Sequence, residues 1–253
     1  MNIFLLSFFI IIGIQIFFFL LAATLKTDKF TDLSYGITFV IVALILLLKG
    51  SFSFAQLILF IAIALWGLRL ATYLFIRILK IGKDDRFDDI REKALEFAKF
   101  WGFQAISIFV ILLPAIYFFS ITPIGINTLS YIGLGVFIFG LLFETIADYQ
   151  KYVYKNRKKK IPFITTGLWK YSRHPNYFGE MLVWWGMFIY IYPFLSGPSY
   201  LTVIGPVFIT ILLLFISGIP PLEKRHKEKY GDMKEYKKYR KNTSLLIPLP
   251  PQK

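Results

Sequence analysis

Long apolar runs broken by short polar connections dominate the chain, at 3–25, 35–48, 54–78, 101–121, 129–143, 178–192 and 201–219. Crossing the hydrocarbon core of a bilayer takes roughly 20 apolar residues in an α-helix. Most runs approach that length, and the second and sixth are short enough to require extension into their flanks. None leaves the polar face that a helix on the surface of a soluble domain presents to water. The stretch Leu21-Ala22-Ala23 resembles a signal-peptide cleavage site. However, no Lys or Arg precedes the first run, and the run is too long for a cleaved leader. The pattern predicts an all-α polytopic membrane protein of seven transmembrane helices, built as a single transmembrane domain over 1–253.

Composition agrees. Of 253 residues, 57% are hydrophobic and 17% charged, where a soluble domain carries about 45–50% and about 25%. The 29 Lys and Arg against 15 Asp and Glu give a net charge of +14, and the placement of those charges decides what they mean. The connections at 49–54, 121–130 and 191–200 hold one charge, Lys49, while those at 26–34, 80–100, 151–176 and the tail after Pro221 hold nearly all the rest. Ten basic residues lie between Lys224 and Lys253 and eight between Lys151 and Arg173. Poor and rich connections alternate, as seven helices with the amino terminus outside and the carboxyl terminus cytoplasmic require. The basic excess therefore reads as positive-inside bias and contact with anionic membrane lipid, with no nucleic acid as partner. The absence of cysteine excludes disulfides, thiolate metal sites and a cysteine nucleophile.

Two segments on the basic side have their own pattern. Across 82–101, Phe87, Ile90, Ala94, Phe97 and Trp101 recur at spacings of three and four among six acidic residues, which predicts a helix lying at the membrane interface. The tail from Leu222 to Tyr239 is helix-compatible and runs into the apolar, proline-rich end Leu245-Leu246-Ile247-Pro248-Leu249-Pro250-Pro251.

Ionisable groups within a span cost roughly 2.5–3.5 kcal/mol at its centre, so they are candidates for function. Glu144, Asp148, Lys151 and Lys155 advance by four, three and four and form one helical stripe; a ladder of intrahelical salt bridges is the structural alternative. After it, Pro175 breaks any preceding helix, so Ser172, Arg173 and His174 occupy a turn at the mouth of the sixth span. Asn176, Glu180 and Trp184, four apart, share one face of that span; a cap by Asn176 with simple burial of Glu180 is the alternative. Arg69 sits well inside the third span, followed by Tyr73 and Arg77, and needs a carboxylate partner or a water-filled cavity. In the tail, Glu223 directly follows the seventh span, with Arg225, His226 and Tyr230 beyond. His174 and His226, with no HExxH spacing, predict no metal site. The glycines at 133, 135 and 140 have the wrong spacing for a dinucleotide fingerprint.

The stretch from Gly167 to Trp185, centred on Ser172-Arg-His-Pro-Asn-Tyr-Phe-Gly-Glu180, resembles the carboxyl-terminal signature of the steroid 5α-reductase superfamily, which includes the sterol C14 and Δ7 reductases. Leu65-Trp-Gly-Leu-Arg-Leu70, Arg77, Asp84-Asp85-Arg86-Phe87, Phe103-Gln104, Pro114, the stripe from Glu144 to Lys155 and the ending 239–248 resemble its small bacterial branch. The likeness covers 60–250, with the cofactor region in 144–240. It implies an integral protein of the bacterial inner (cytoplasmic) membrane. It also implies an NADPH-dependent reductase that saturates a carbon–carbon double bond conjugated to a carbonyl in a lipophilic, steroid-like or isoprenoid-like substrate. Carried over singly, it nominates Asp148, Lys155, Arg173, His174, Asn176, Tyr177, Glu180, Trp184, Arg225, His226 and Tyr230 for the cofactor. One departure stands out. Steroid-reducing members polarise the ketone with a Glu–Tyr pair from the second and third spans, and the run 35–48 contains no acid. An enolate formed by hydride transfer needs a donor or oxyanion stabiliser, and Tyr73, with Glu180, is the candidate for the catalytic role.

The rival reading is a membrane methyltransferase of the isoprenylcysteine carboxyl methyltransferase type, which shares an Arg-His-Pro-x-Tyr turn and binds S-adenosylmethionine. Such enzymes usually carry a Glu-Glu pair in the tail, whereas Glu223 is followed by Lys224. A non-catalytic lipid- or sterol-binding protein that keeps the fold is the third reading, for which loss of acids such as Glu180 is expected.

Overall fold

A computed structural model describes residues 2–84, 87–88, 90–156 and 162–251; Asp85, Arg86 and the basic residues 157–160 lie outside the described residues. Among the described residues the chain is all-helical, with no β-strand. The α-helices are α1 (Ile3–Thr24), α2 (Thr31–Lys49), α3 (Phe54–Ile81), α4 (Ala94–Ser120), α5 (Thr128–Lys155), α6 (Pro175–Ile191), α7 (Ile204–Ile211), α8 (Ile219–Tyr230) and α9 (Lys234–Asn242). Six helical stretches are long and apolar enough to cross a membrane: α1 to α5 and Gly197–Tyr230, of which α7 is the middle. This is an integral membrane protein. In lipid no water replaces a lost backbone hydrogen bond, which is why such apolar runs must be helices.

The chain divides into two compact units, Met1–Ser130 with Ile191–Gly205, and Tyr131–Tyr190 with Pro206–Lys253. In the first, α2 packs along α3 and α1 along α4. Each end has a local cause. Asn2 caps α1 by accepting from the N–H of Phe4 at 2.9 Å. Ser53 and Gln56 form a reciprocal capping box at the start of α3, and Gly82, at φ 84°, terminates it. Gly36 and Gly67 let α2 and α3 meet backbone to backbone, since a Cβ on Gly36 would lie 2.6 Å from the carbonyl oxygen of Gly67. Pro114 sits inside α4, where its missing N–H frees the carbonyl of Val110. Gly205 packs at that point, with room for no side chain between Pro114 and Val110.

A polar network binds three helices of this unit. Gln104 of α4 donates to the Gln15 side chain of α1 at 2.8 Å and to Ser34 of α2 at 3.1 Å, and Gln15 donates to Thr38 at 2.8 Å. Buried amides and hydroxyls are stabilising only when paired, and these are. Phe87, Phe97 and Trp101 share a core cluster with Ala22, whereas Ala94 is exposed. Among the described residues of 82–101, no separate interfacial helix precedes Ala94. Regular helix begins at Ala94 and runs on into the fourth span, because Phe97 and Trp101 are held by the same cluster as Phe19 of α1.

In the second unit the seam between α5 and α6 is glycine. Gly140 faces Gly179, and Gly133 faces Gly186, each pair at heptad spacing on its helix. Without side chains the backbones approach closely, the small-residue packing that substitutes for a hydrophobic driving force in lipid. The last apolar run is not a uniform helix. Short 3₁₀ turns at Gly197–Val203 lead into α7, then a π-helical turn at Leu212–Ile216. There the N–H groups of Ser217 and Gly218 both donate to the carbonyl of Leu212, and Pro220-Pro221 restart the chain as α8. Such π turns frequently mark functional sites.

The glycine seam gives a stability test. A Cβ at Gly179 would come within 2.6 Å of the Glu144 backbone nitrogen, while one at Gly135 meets nothing within 4 Å. Gly179→Leu is expected to destabilise the detergent-solubilised protein by more than about 3 kcal/mol, and Gly135→Ala to stabilise it by a few tenths up to about 1 kcal/mol. Chemical denaturation followed by circular dichroism measures both.

Candidate functional site

The α5 stripe runs from acid to base. Glu144 and Asp148 are 2% and 5% exposed, Lys151 is half-buried and Lys155 is exposed at the helix end. The glycine seam places Gly179, next to Glu180, against the backbone of Glu144, and Glu180 is itself 8% exposed. Three carboxylates thus lie on two helices in close contact. Trp169 fixes the far end of the stripe: its indole N–H donates to the Ala147 carbonyl at 3.0 Å, and the Lys151 ammonium lies 4.9 Å from its ring centre. Gln150 accepts from the N–H of Leu168 at 2.9 Å beside Gly167, whose φ of 62° disfavours any other residue.

The turn before α6 is organised around Glu223. Its carboxylate takes a hydrogen bond from Arg173 and meets His174 Nε2 at 2.9 Å, with Arg240 Nε at 3.5 Å. Pro220 and Pro221 set the start of α8, so Glu223 falls in its second turn, aimed at the turn 172–174. His174 is 2% exposed and stacks on Tyr177 at 5.8 Å with the rings 10° apart. Ser172, not Asn176, serves the start of α6: its hydroxyl accepts from the His174 N–H at 3.1 Å and donates to the Leu246 carbonyl at 2.7 Å.

The tail closes over the turn as a strap. Ser172 and Ser244 form a parallel bridge, Arg173 N–H donates to Ser244 at 2.8 Å, and Leu249 N–H donates to Tyr171 at 3.1 Å. The Tyr239 hydroxyl donates to the Trp169 carbonyl at 2.7 Å, and burial holds that phenol well above its ordinary value. Phe163 gathers the rings of Tyr230, Tyr236 and Tyr239 within 6 Å.

The nominated residues separate clearly. Asp148, Lys155, Arg173, His174, Asn176, Tyr177, Glu180, Trp184, His226 and Tyr230 all belong to the second unit. Lys151 interacts electrostatically with both His174 and His226, and Lys155 with His226, so the basic end of α5 and the start of α8 share one neighbourhood. Arg225 is exposed and takes no part in the Glu223 cluster. Tyr73, nominated as a catalytic donor, lies on α3 in the first unit. Glu223 and Arg240 were not nominated, although they hold the turn. Glu223 had a legible signal, as the first acid after the last apolar run in a segment otherwise rich in lysine. The pairing of Ser172 with Ser244 has none, because two isolated serines 72 positions apart carry no periodicity.

Burial lowers the pKa of His174 below its ordinary 6.5, with Glu223 opposing that shift and Lys151 and Arg173 adding to it. A depressed folded value means the unfolded chain binds the proton first. The contribution of His174 to stability is therefore complete above about pH 6.5 and is lost as pH falls through the folded value. The melting temperature is expected to decline from pH 7.5 to pH 5.5, with a smaller decline in His174→Gln. Glu223→Gln, which leaves Arg173 without its carboxylate, should cost on the order of 3 kcal/mol at neutral pH. Thermal unfolding across that pH series checks both.

A family model described as "Protein of unknown function (DUF1295)" matches residues 18–243. No curated protein and no solved structure matches the chain.

Proposed function

The chain belongs to the DUF1295 family, and from that premise we propose that it is an NADPH-dependent membrane reductase acting on a lipophilic enone, with its cofactor site in the second unit. The observation that carries this reading is the partition of charge around the turn 172–174. Buried carboxylates (Glu144, Asp148 and Glu180) lie along α5 and α6, and cations (Lys151, Lys155, Arg173) gather toward the turn and tail. A dinucleotide has that polarity. Its phosphates suit the cationic end, where Arg173 spends one nitrogen on Glu223 and keeps Nε buried with no hydrogen-bond partner among the described residues. Its carboxamide and ribose suit acceptors such as Glu180 and Asn176, and Trp184 offers a ring face. When bound, NADPH supplies the hydride. The protein's residues orient the cofactor and exclude water, the Glu223 cluster holding the turn in place for that work.

S-adenosylmethionine fits less well, because it brings one carboxylate and no phosphate to the cationic end formed by Lys151, Lys155 and Arg173. On the proposed reading α6 is a seventh span, its 17 residues continued by the 3₁₀ turn Tyr192–Phe194. Seven spans then leave the amino terminus outside and the basic tail in the cytoplasm. The membrane is the bacterial inner membrane. Within the second unit Glu180 carries the catalytic role.

A ligand that binds only the folded state raises its melting temperature. NADPH is expected to raise that of the detergent-purified protein by several degrees, NADH less, and S-adenosylmethionine not at all. Glu180→Gln and Asn176→Ala are expected to fold and lose the NADPH shift. A response to S-adenosylmethionine alone overturns the reductase reading, and an undiminished NADPH shift in both variants overturns the residue assignment.

A further inference from the structure

The first unit contains a pocket that the reductase reading does not use. It is an open cavity of about 440 Å³, formed by the connection between α1 and α2 and by the end of α3, with Arg91 at its side. Lys26, Lys29, Lys83 and Arg91 line it, and Asp28 is the one acid among the lining residues. Asp28 is 3% exposed and already committed: one oxygen accepts from Arg91 at 3.0 Å and from the Asp84 N–H at 2.6 Å. Asp88 is likewise held, by Lys83 at 3.1 Å and Arg91 at 3.4 Å. Lys26 and Lys29 form no ion pair among the described residues, and Arg91 Nε is buried with no hydrogen-bond partner. Among the described residues, the charge left facing the cavity is positive.

Lys26 adds a second observation. It follows α1 at φ 47°, in the left-handed region that favours glycine. Its N–H donates to Ala23 and that of Thr27 to Ala22, the hydrogen-bond pattern of a Schellman helix ending. Glycine would make that ending without strain, so the lysine is held there at a backbone cost. Strain of this kind clusters where a side chain is needed.

The depth of the pocket identifies its occupant. The 22 residues of α1 rise about 33 Å, close to the hydrocarbon thickness, so Lys26 and Lys29 emerge at headgroup level. Leu25, a lining residue 60% exposed, and Ile81, 51% exposed, set an apolar edge beside the cations. We propose that this pocket binds the phosphate of an anionic phospholipid headgroup, with the acyl chains lying against Leu25 and Ile81. Basic pockets between membrane helices recognise such headgroups by charge and by the apolar edge together. A free phosphate would use the cations alone.

The test is thermal unfolding of the full chain in detergent with phosphatidylglycerol, phosphatidylcholine or soluble glycerol 3-phosphate added at matched concentration. Phosphatidylglycerol is expected to raise the melting temperature above the phosphatidylcholine value, and glycerol 3-phosphate to leave it unchanged. The difference between the lipids should vanish in Lys26→Gln/Lys29→Gln and persist in the tail control Lys237→Gln/Lys238→Gln. Lys26→Gly removes one cation while relieving the backbone strain, so it should melt no lower than wild type in phosphatidylcholine and still lose part of the phosphatidylglycerol shift. Equal shifts with both lipids, or a phosphatidylglycerol shift that survives both pocket variants, overturn the proposal. A glycerol 3-phosphate shift as large as that of phosphatidylglycerol assigns the cations to soluble phosphate and overturns the lipid. NADPH stabilisation is unaffected by these pocket variants if the two sites are independent, so the reductase reading stands or falls separately.

Discussion

The carboxylate of Glu223 is the fixed point of the second unit. It satisfies Arg173 and His174 at once, with Arg240 beside it. Those contacts join the turn before α6 to the start of α8 and the end of α9. A partly buried charge is tolerable only where opposite charges and hydrogen bonds replace the lost water. Each of the four groups is therefore a condition for the others, and removing any one exposes the rest to an unpaid desolvation cost. The tail strap depends on this arrangement, since Ser244 and Leu246 can bond to the turn only while the turn is held.

The second constraint is steric. At the glycine seam of α5 and α6, Gly140 against Gly179 and Gly133 against Gly186 allow a backbone approach that any side chain would prevent. That approach puts Glu144 next to the residue preceding Glu180. The carboxylates thus owe their proximity to residues that carry no chemistry. The first unit uses the same device at Gly36 and Gly67, and adds the Gln15–Gln104 network, which ties α1 to α2 and α4 by hydrogen bonds and not by apolar area. In lipid the driving force from apolar burial is absent between helices, so close packing and paired polar groups take over.

The two units differ in how they treat charge. The second buries carboxylates along its helices, at Glu144, Asp148 and Glu180. Apart from Arg69 within α3, the first unit pairs charged residues near its helix ends, where Arg77 joins Asp32 at 3.1 Å and Asp84 at 3.5 Å, and Arg91 joins Asp28. Asp32, which the sequence places just before the second span, is in the first turn of α2, near its positive end. Charge inside a span calls for a ligand or a partner, whereas charge at a helix end is met by water and headgroups.

The order of residues alone determined the membrane character, the helices and their approximate bounds, because hydropathy and helical period are local properties that a run of 20 residues expresses by itself. It also determined that Arg173, His174 and Pro175 form a turn, since proline restricts the residue before it, and that Glu144, Asp148, Lys151 and Lys155 share a stripe. Tertiary structure decided the rest. Only folding showed that Glu223 is the partner of Arg173 and His174, that Ser244 lies beside Ser172, that 94–101 belongs to the fourth span's helix, and that glycines at 140 and 179 are in contact. Each of these is a pairing between distant positions with no periodic trace, chosen by which charges must be neutralised and which backbones can approach, and such choices exist only once the helices are packed.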